Sequence, residues 1–353
     1  MPESAVDIVV FAALAPVLGV LLFWFLQLLF IESNKYFLGK IQHKHEPLIR
    51  FTNFIGILFQ SICHAMGFTV TKSGIAHFKV TVHEGKVQPK KEKKGIFEWI
   101  ANGFLFFGPF FIPPTLLFIT VIFLMGPYDT VAPNSYTFAE GIIVFGQNLF
   151  LFSQRFFSFF SSMDLFDPRH TGFMLLLIFL GLGMRPSYIG EKPRKKVDMI
   201  YDLKNIKNHI IQQPLYLFFF ILFIYIGFYS SVLLQHSLYV LVFSAFGWLS
   251  LLALISILIS HLIIGLIAIT DHIPKPWRYL VFLYVPVSYV LFRILFIYVP
   301  IAEVDLPLSL FLMILTTLLV IVLLLKLKTN TFKSRSKMKS KRIEDGPKRI
   351  IKQ

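Results

Sequence analysis

The sequence predicts an all-α polytopic membrane protein of about seven to nine transmembrane or re-entrant helices, with a small β-hairpin after the second helix. Three observations carry this. Only 15% of the 353 residues are charged, where a soluble domain carries roughly 25%. Several apolar runs reach the ~20 residues that cross a bilayer core of ~30 Å. Between about residues 74 and 90 the apolar spacing changes from helical to every second residue. With 56% apolar residues and a mean hydropathy of +0.71, the chain has too little polar surface for a water-soluble globule. It is also too apolar for a disordered chain.

In order, the first run covers Asp7 to Ile31 and lacks the basic leader of a secretory signal, so it is expected to be a retained anchor. Phe51 to Phe68 is shorter and carries Asn53, Gln60, Ser61, Cys63 and His64, which suits a spanning or re-entrant helix. Phe78, Val80 and Val82 then alternate with His77, Lys79, Thr81 and His83, and His83-Glu84-Gly85-Lys86 is a turn leading to Val87, the pattern of a hairpin. Ile96 to Met125 is apolar but contains Gly108-Pro109 and Pro113-Pro114, and is expected to kink or divide there because proline removes a helical hydrogen bond. Thr137 to Met163 is apolar with interspersed polar groups, and Thr171 to Met184 is a short span. In Arg185 to Gln213, Val197, Ile200, Leu203, Ile206 and Ile210 recur at helical spacing among lysines, as in a basic amphipathic helix on a membrane surface. Four further spans follow: Pro214 to Gln235, Leu238 to Thr270, Trp277 to Pro300 and Leu306 to Leu327. Residues 1–327 are therefore one transmembrane helical domain, and residues 328–353 a basic tail expected to be disordered.

The net charge of +15 is clustered. Seven lysines lie between Lys72 and Lys94, and eleven basic residues between Lys326 and Lys352 face only Glu344 and Asp345. Positive flanks stay inside, so the C-terminus is expected to be cytoplasmic, the N-terminus outside, and the host the cell membrane. The tail is also suited to anionic headgroups. Nucleic acid is not expected, since Phe332 is the tail's sole aromatic and stacking platforms need more. The single cysteine, Cys63, permits no internal disulfide.

Gln60-Ser61-Ile62-Cys63-His64 on a short helix, followed by the hairpin at Gly85-Lys86-Val87 and a Gly-Pro-rich span, resembles the site-2 protease family of intramembrane zinc metallopeptidases. Gly183-Met184-Arg185-Pro186-Ser187 adds a weaker likeness. The resemblance implies a helix whose H-E-x-x-H motif grips zinc from i and i+4 while the glutamate activates the bound water. Here Gln60 stands at the first histidine, Ser61 at the glutamate and His64 at the second histidine. An amide oxygen is a poor zinc ligand, and a serine cannot act as a carboxylate base near neutral pH. What the resemblance implies is a protease-like scaffold without its catalytic apparatus, binding a membrane client or lipid, with no cofactor expected. A chance match remains the alternative origin of the pattern.

A zinc site from His64, His261 and Asp271 or His272 is chemically possible, since polar groups inside spans often mark function. The structural alternative is a packing histidine at 261 and a helix terminus at Asp271-His272. Asp164 and Asp167 are further candidate carboxylates, or a helix break before Pro168. Arg293 lies within an apolar span and is expected to face inward toward a partner such as Glu140. Two other function classes stay open: a transporter or channel, from the Pro-Gly breaks and Arg293, and an active zinc metallopeptidase.

Overall fold

A computed structural model describes residues 6–82, 84–126, 130–164, 166–184, 199–299 and 305–344. After short π and 3-10 segments at Asp7–Phe11 and Ala12–Leu14, the elements are α1 (Ala15–Ile41), α2 (Glu46–Val70), β1 (Ile75–Val80), β2 (Gly85–Pro89), α3 (Ile96–Met125), α4 (Phe138–Ser161), α5 (Pro168–Gly183), α6 (Met199–Gln212), α7 (Pro214–Leu233), α8 (Leu238–Thr270), α9 (Lys275–Tyr298) and α10 (Asp305–Glu344). Seven of these helices are long and apolar enough to cross a membrane: α1, α2, α3, α7, α8, α9 and α10. The chain is a multi-pass, helical membrane protein with a two-stranded antiparallel hairpin after its second helix.

Several boundaries move relative to the sequence reading. Hydropathy ends the first span at Ile31, yet α1 continues to Ile41, aided by a Glu32–Lys35 ion pair at 3.2 Å. Similarly α2 begins at Glu46, where Pro47 occupies the first turn, a position that needs no N–H partner. Arg50 pairs with Glu46 at 2.6 Å one turn on. The expected division of the third span does not occur. α3 runs unbroken through Pro109, Pro113 and Pro114, all three buried against neighbouring chain. Membrane helices accommodate proline when packing and neighbouring groups satisfy the freed carbonyls. The Pro186-Ser187 likeness and the first part of the amphipathic segment lie outside the described residues.

The chain divides into two compact units, one comprising Met1–Phe159 and Asp164–Ile264, the other Phe160–Met163 and Gly265–Gln353. In the first, α2 is central, packing on α3, α5 and both strands. Close backbone approach makes this possible, as in membrane interfaces built on small residues. A Cβ on Gly108 of α3 would lie 2.9 Å from the Cβ of Cys63 in α2. On Gly183 of α5 it would overlap Ile55, and on Gly181 it would overlap the Ser256 carbonyl of α8. Around this, Trp24, Leu28 and Ile31 of α1 join Phe110, Ala253 and Ile257 in one buried cluster, against which Leu203 and Ile206 of α6 pack. The amphipathic helix therefore turns part of its apolar stripe into the protein, while Ile200 and Ile211 stay exposed. Trp248 of α8 stacks on Phe152 of α4 at 5.4 Å and donates to the Asn148 carbonyl at 3.1 Å.

The exposed side of this unit is apolar, as lipid contact requires. Phe218 to Phe223 on α7 are all exposed. In the second unit α9 packs along α10, with Ile273, Val281 and Ile321 buried between them and the end of α8.

Candidate functional site

Gln60 and His64 are four residues apart on α2 and so share one face. Against that face folds the returning strand of the hairpin. β1 and β2 pair antiparallel with Val80 opposite Gly85, Phe78 opposite Val87 and His77 opposite Gln88. Thr81 closes the turn, its N–H and hydroxyl both donating to the Glu84 carbonyl at 2.8 and 3.0 Å. The turn thus ends at Glu84, and Gly85 and Lys86, expected within it, are strand residues.

Two features fasten the hairpin to α2. At its open end Lys90 and Lys91 N–H groups donate to Gly74 and Ser73 carbonyls at 3.0 Å each. Lys93 reaches back to the Thr71 carbonyl at 2.6 Å while its ammonium lies 4.7 Å from the Phe97 ring centroid. A cation at the C-terminal carbonyls of a helix is favourable. Nearer the tip, Gly85 sits against Ser61 and Ile57 with no room for a side chain; its Cβ would be 2.8 Å from Ile57 Cγ2.

Between these anchors a cleft of about 330 Å³ remains, lined by Ile57, Gln60, Ser61 and His64 of α2 and by residues 85–88 of β2. All three residues of the degenerate motif therefore line one cleft, across from the strand β2, whose Lys86 and Gln88 also belong to its lining. The last two were missed in the sequence. Two-residue alternation places them on one strand, but only tertiary folding brings that strand onto Gln60 and His64. His64 also contacts the Phe68 ring at 6.0 Å.

The remaining candidates are placed elsewhere. His261 is held between Phe30 and Phe37, at centroid distances of 6.1 and 5.8 Å, with Nδ1 on the Ile257 carbonyl at 2.9 Å. Asp271, in the second unit, binds the Arg278 guanidinium at 2.6 Å, and His272 Nδ1 lies 3.1 Å from the Ala268 carbonyl. Asp164 accepts the Phe166 N–H at 2.9 Å. Asp167 caps α5 by accepting from the Arg169 N–H at 2.8 Å. Hydrogen bonds from the Arg169 side chain and backbone pull the Asp167 carboxyl down to about 2. Glu140 accepts from the Asn134 N–H at 3.2 Å in the first turn of α4. Arg293 is half-buried on α9, five residues before the helix ends at Tyr298. Among the described residues no group of three or more His, Cys, Asp or Glu side chains is arranged to hold a metal ion.

No protein-family model, curated protein or solved structure matches this chain.

Proposed function

We propose that this protein is a non-catalytic membrane scaffold on a site-2-protease-like core, whose cleft between α2 and the hairpin binds a polar part of a membrane client or lipid. The observation that carries this is the convergence of Gln60, Ser61 and His64 on a single cleft with β2. Those are the positions at which the resemblance implies zinc ligands and a carboxylate base. The groups present are an amide, a hydroxyl and one imidazole, a set suited to hydrogen-bonding a ligand and lacking the carboxylate that peptide hydrolysis on zinc employs. Such a cleft retains recognition while forgoing cleavage.

In this reading the basic tail lies on the cytoplasmic side against anionic headgroups, and no metal is needed. The test is metal analysis of the purified full-length protein alongside His64→Ala. Absence of stoichiometric zinc in both, with retention of a client or lipid that the cleft variants release, supports the scaffold. Zinc near one equivalent that is lost in His64→Ala would overturn it.

A further inference from the structure

The first span carries polar groups at a depth where hydrocarbon surrounds the protein. Gln27 lies near the middle of the span Ala12–Ile41, about 20 Å from either end at 1.5 Å per residue. It is 0% exposed, and neither its amide oxygen nor its amide nitrogen has a hydrogen-bond partner in the protein. Trp24, one turn earlier on the same face, is 9% exposed, and its indole N–H is likewise unpartnered.

The facing helix supplies a third group. Two hydrogen bonds tie α1 and the segment before it to α8 with the same sequence offset of 226 residues: the Tyr239 hydroxyl donates to the Ala13 carbonyl near one end, and the Asn34 amide to the Ser260 hydroxyl near the other. The helices therefore run parallel, and between these ties Trp24 stands level with Ser250 and Gln27 with Ala253. Ser250, Ala253 and Ile257 follow at i, i+3 and i+7, one face of a helix. Ala253 and Ile257 pack in the buried cluster that holds Trp24 and Leu28, so Ser250 is turned toward the same seam. It is 0% exposed and its hydroxyl has no partner either. Ala253, level with Gln27, brings only a methyl group.

The indole N–H of Trp24, both amide atoms of Gln27 and the Ser250 hydroxyl thus meet on the α1–α8 seam at mid-depth. Buried polar groups in folded proteins are hydrogen-bonded, and in hydrocarbon the lack of a partner is costly. One small molecule that both donates and accepts answers this set, accepting from the indole and donating to the amide oxygen and the serine. That is the chemistry of a buried water, which makes about three such bonds. An ion does not suit the place. Among the described residues no Lys, Arg, Asp or Glu is buried, so a charge at this depth would have no countercharge.

We propose that α1 and α8 hold an internal water between Trp24, Gln27 and Ser250, a bound ligand of the helical core that joins the two spans at mid-depth. The site is separate from the cleft at the hairpin and stands whatever that cleft binds.

X-ray radiolysis of the full-length protein in nanodiscs tests it, because hydroxyl radicals form from water in place and oxidise a buried tryptophan where water is bound beside it. Trp248, 1% exposed and bonded to the Asn148 carbonyl, is the internal negative control, and Trp277, 51% exposed, the positive one. Mass spectrometry is expected to show Trp24 oxidised several times faster than Trp248. Gln27→Leu and Ser250→Ala each remove a partner of the water and are expected to slow Trp24 toward the Trp248 rate, with Trp277 unchanged. Infrared spectra supply a readout independent of packing: an O–H stretching band that shifts in heavy-oxygen water and is lost in Gln27→Leu. Trp24 oxidised no faster than Trp248 would overturn the site. So would heavy-oxygen spectra identical in the parent protein and Gln27→Leu, which would mean that the three side chains bond one another directly.

Discussion

Gly85 of β2 and Ser61 of α2 meet so closely that a Cβ on the glycine would overlap the serine hydroxyl. This contact sets the wall-to-wall distance of the cleft, because Gln60 and His64 flank Ser61 while Lys86 follows Gly85. Overpacking at such a point costs about 1–3 kcal/mol. Gly85→Val is therefore expected to lift the hairpin from α2 rather than unfold the helices. Hydrogen exchange would show residues 75–89 losing protection while α2 and α3 keep theirs, and thermal unfolding in detergent would fall only slightly. Uniform loss of protection would mean that the hairpin is integral to the helical core.

The approach of α5 to α8 is tighter, because the atom opposing Gly181 is the backbone carbonyl of Ser256. The Ser256 hydroxyl in turn donates to the Leu177 carbonyl one turn earlier on α5. No rotamer change relieves a clash with backbone, so one helix has to move. Gly181→Ala is expected to lower stability by about 2–3 kcal/mol, and Gly172→Ala, where nothing lies within 4 Å of an added Cβ, to raise it by up to about 1 kcal/mol. Thermal unfolding of the two variants in the same detergent separates packing from helix propensity, which favours alanine at both positions.

What was legible in the sequence follows the strength of the physical signal. α8 was bounded at Leu238 and Thr270 and α7 at Pro214 because hydropathy and an initiating proline are local properties. The hairpin was visible because Phe78, Val80 and their polar neighbours alternate over a short stretch with a glycine beside it. α3 was expected to kink or divide because Pro109, Pro113 and Pro114 act locally against a helix, and burial of all three is a tertiary fact that keeps it undivided. The motif residues Gln60, Ser61 and His64 were identified from spacing. That β2 lies across the cleft from them depends on how the hairpin folds back, which no local pattern encodes.

Asn34 of α1 donates to the Ser260 hydroxyl of α8 at 2.9 Å in the buried interior. Its amide oxygen is buried without a partner. Ser260→Ala would leave the amide with neither bond and is expected to cost about 1 kcal/mol. The pair Asn34→Leu with Ser260→Ala removes both polar groups, and replacing both partners by apolar ones is close to neutral. A double mutant no less stable than Ser260→Ala by chemical unfolding is the expected outcome. A double mutant far below both singles would show that Asn34 serves more than this bond.

The amphipathic helix α6 is docked through His209, whose ring stacks on Trp99 at 5.1 Å and 14° and contacts Phe106 at 5.3 Å. Burial disfavours the imidazolium and lowers the His209 pKa below its ordinary value, although a backbone hydrogen bond with Trp99 opposes this. The sign of the linkage follows. The undocked histidine, titrating near its ordinary ~6.5, binds a proton more readily than the docked one, so docking is fully favoured above that pH and weakens as pH falls through it. Stacking on Trp99 is then exchanged for a solvated imidazolium. Lowering the pH from about 8 to about 5 is expected to raise hydrogen exchange in residues 199–212 while α1 and α3 remain protected. His209→Phe, which keeps the aromatic stack and cannot titrate, is expected to abolish that dependence. Exchange that rises equally in His209→Phe would place the titrating group elsewhere.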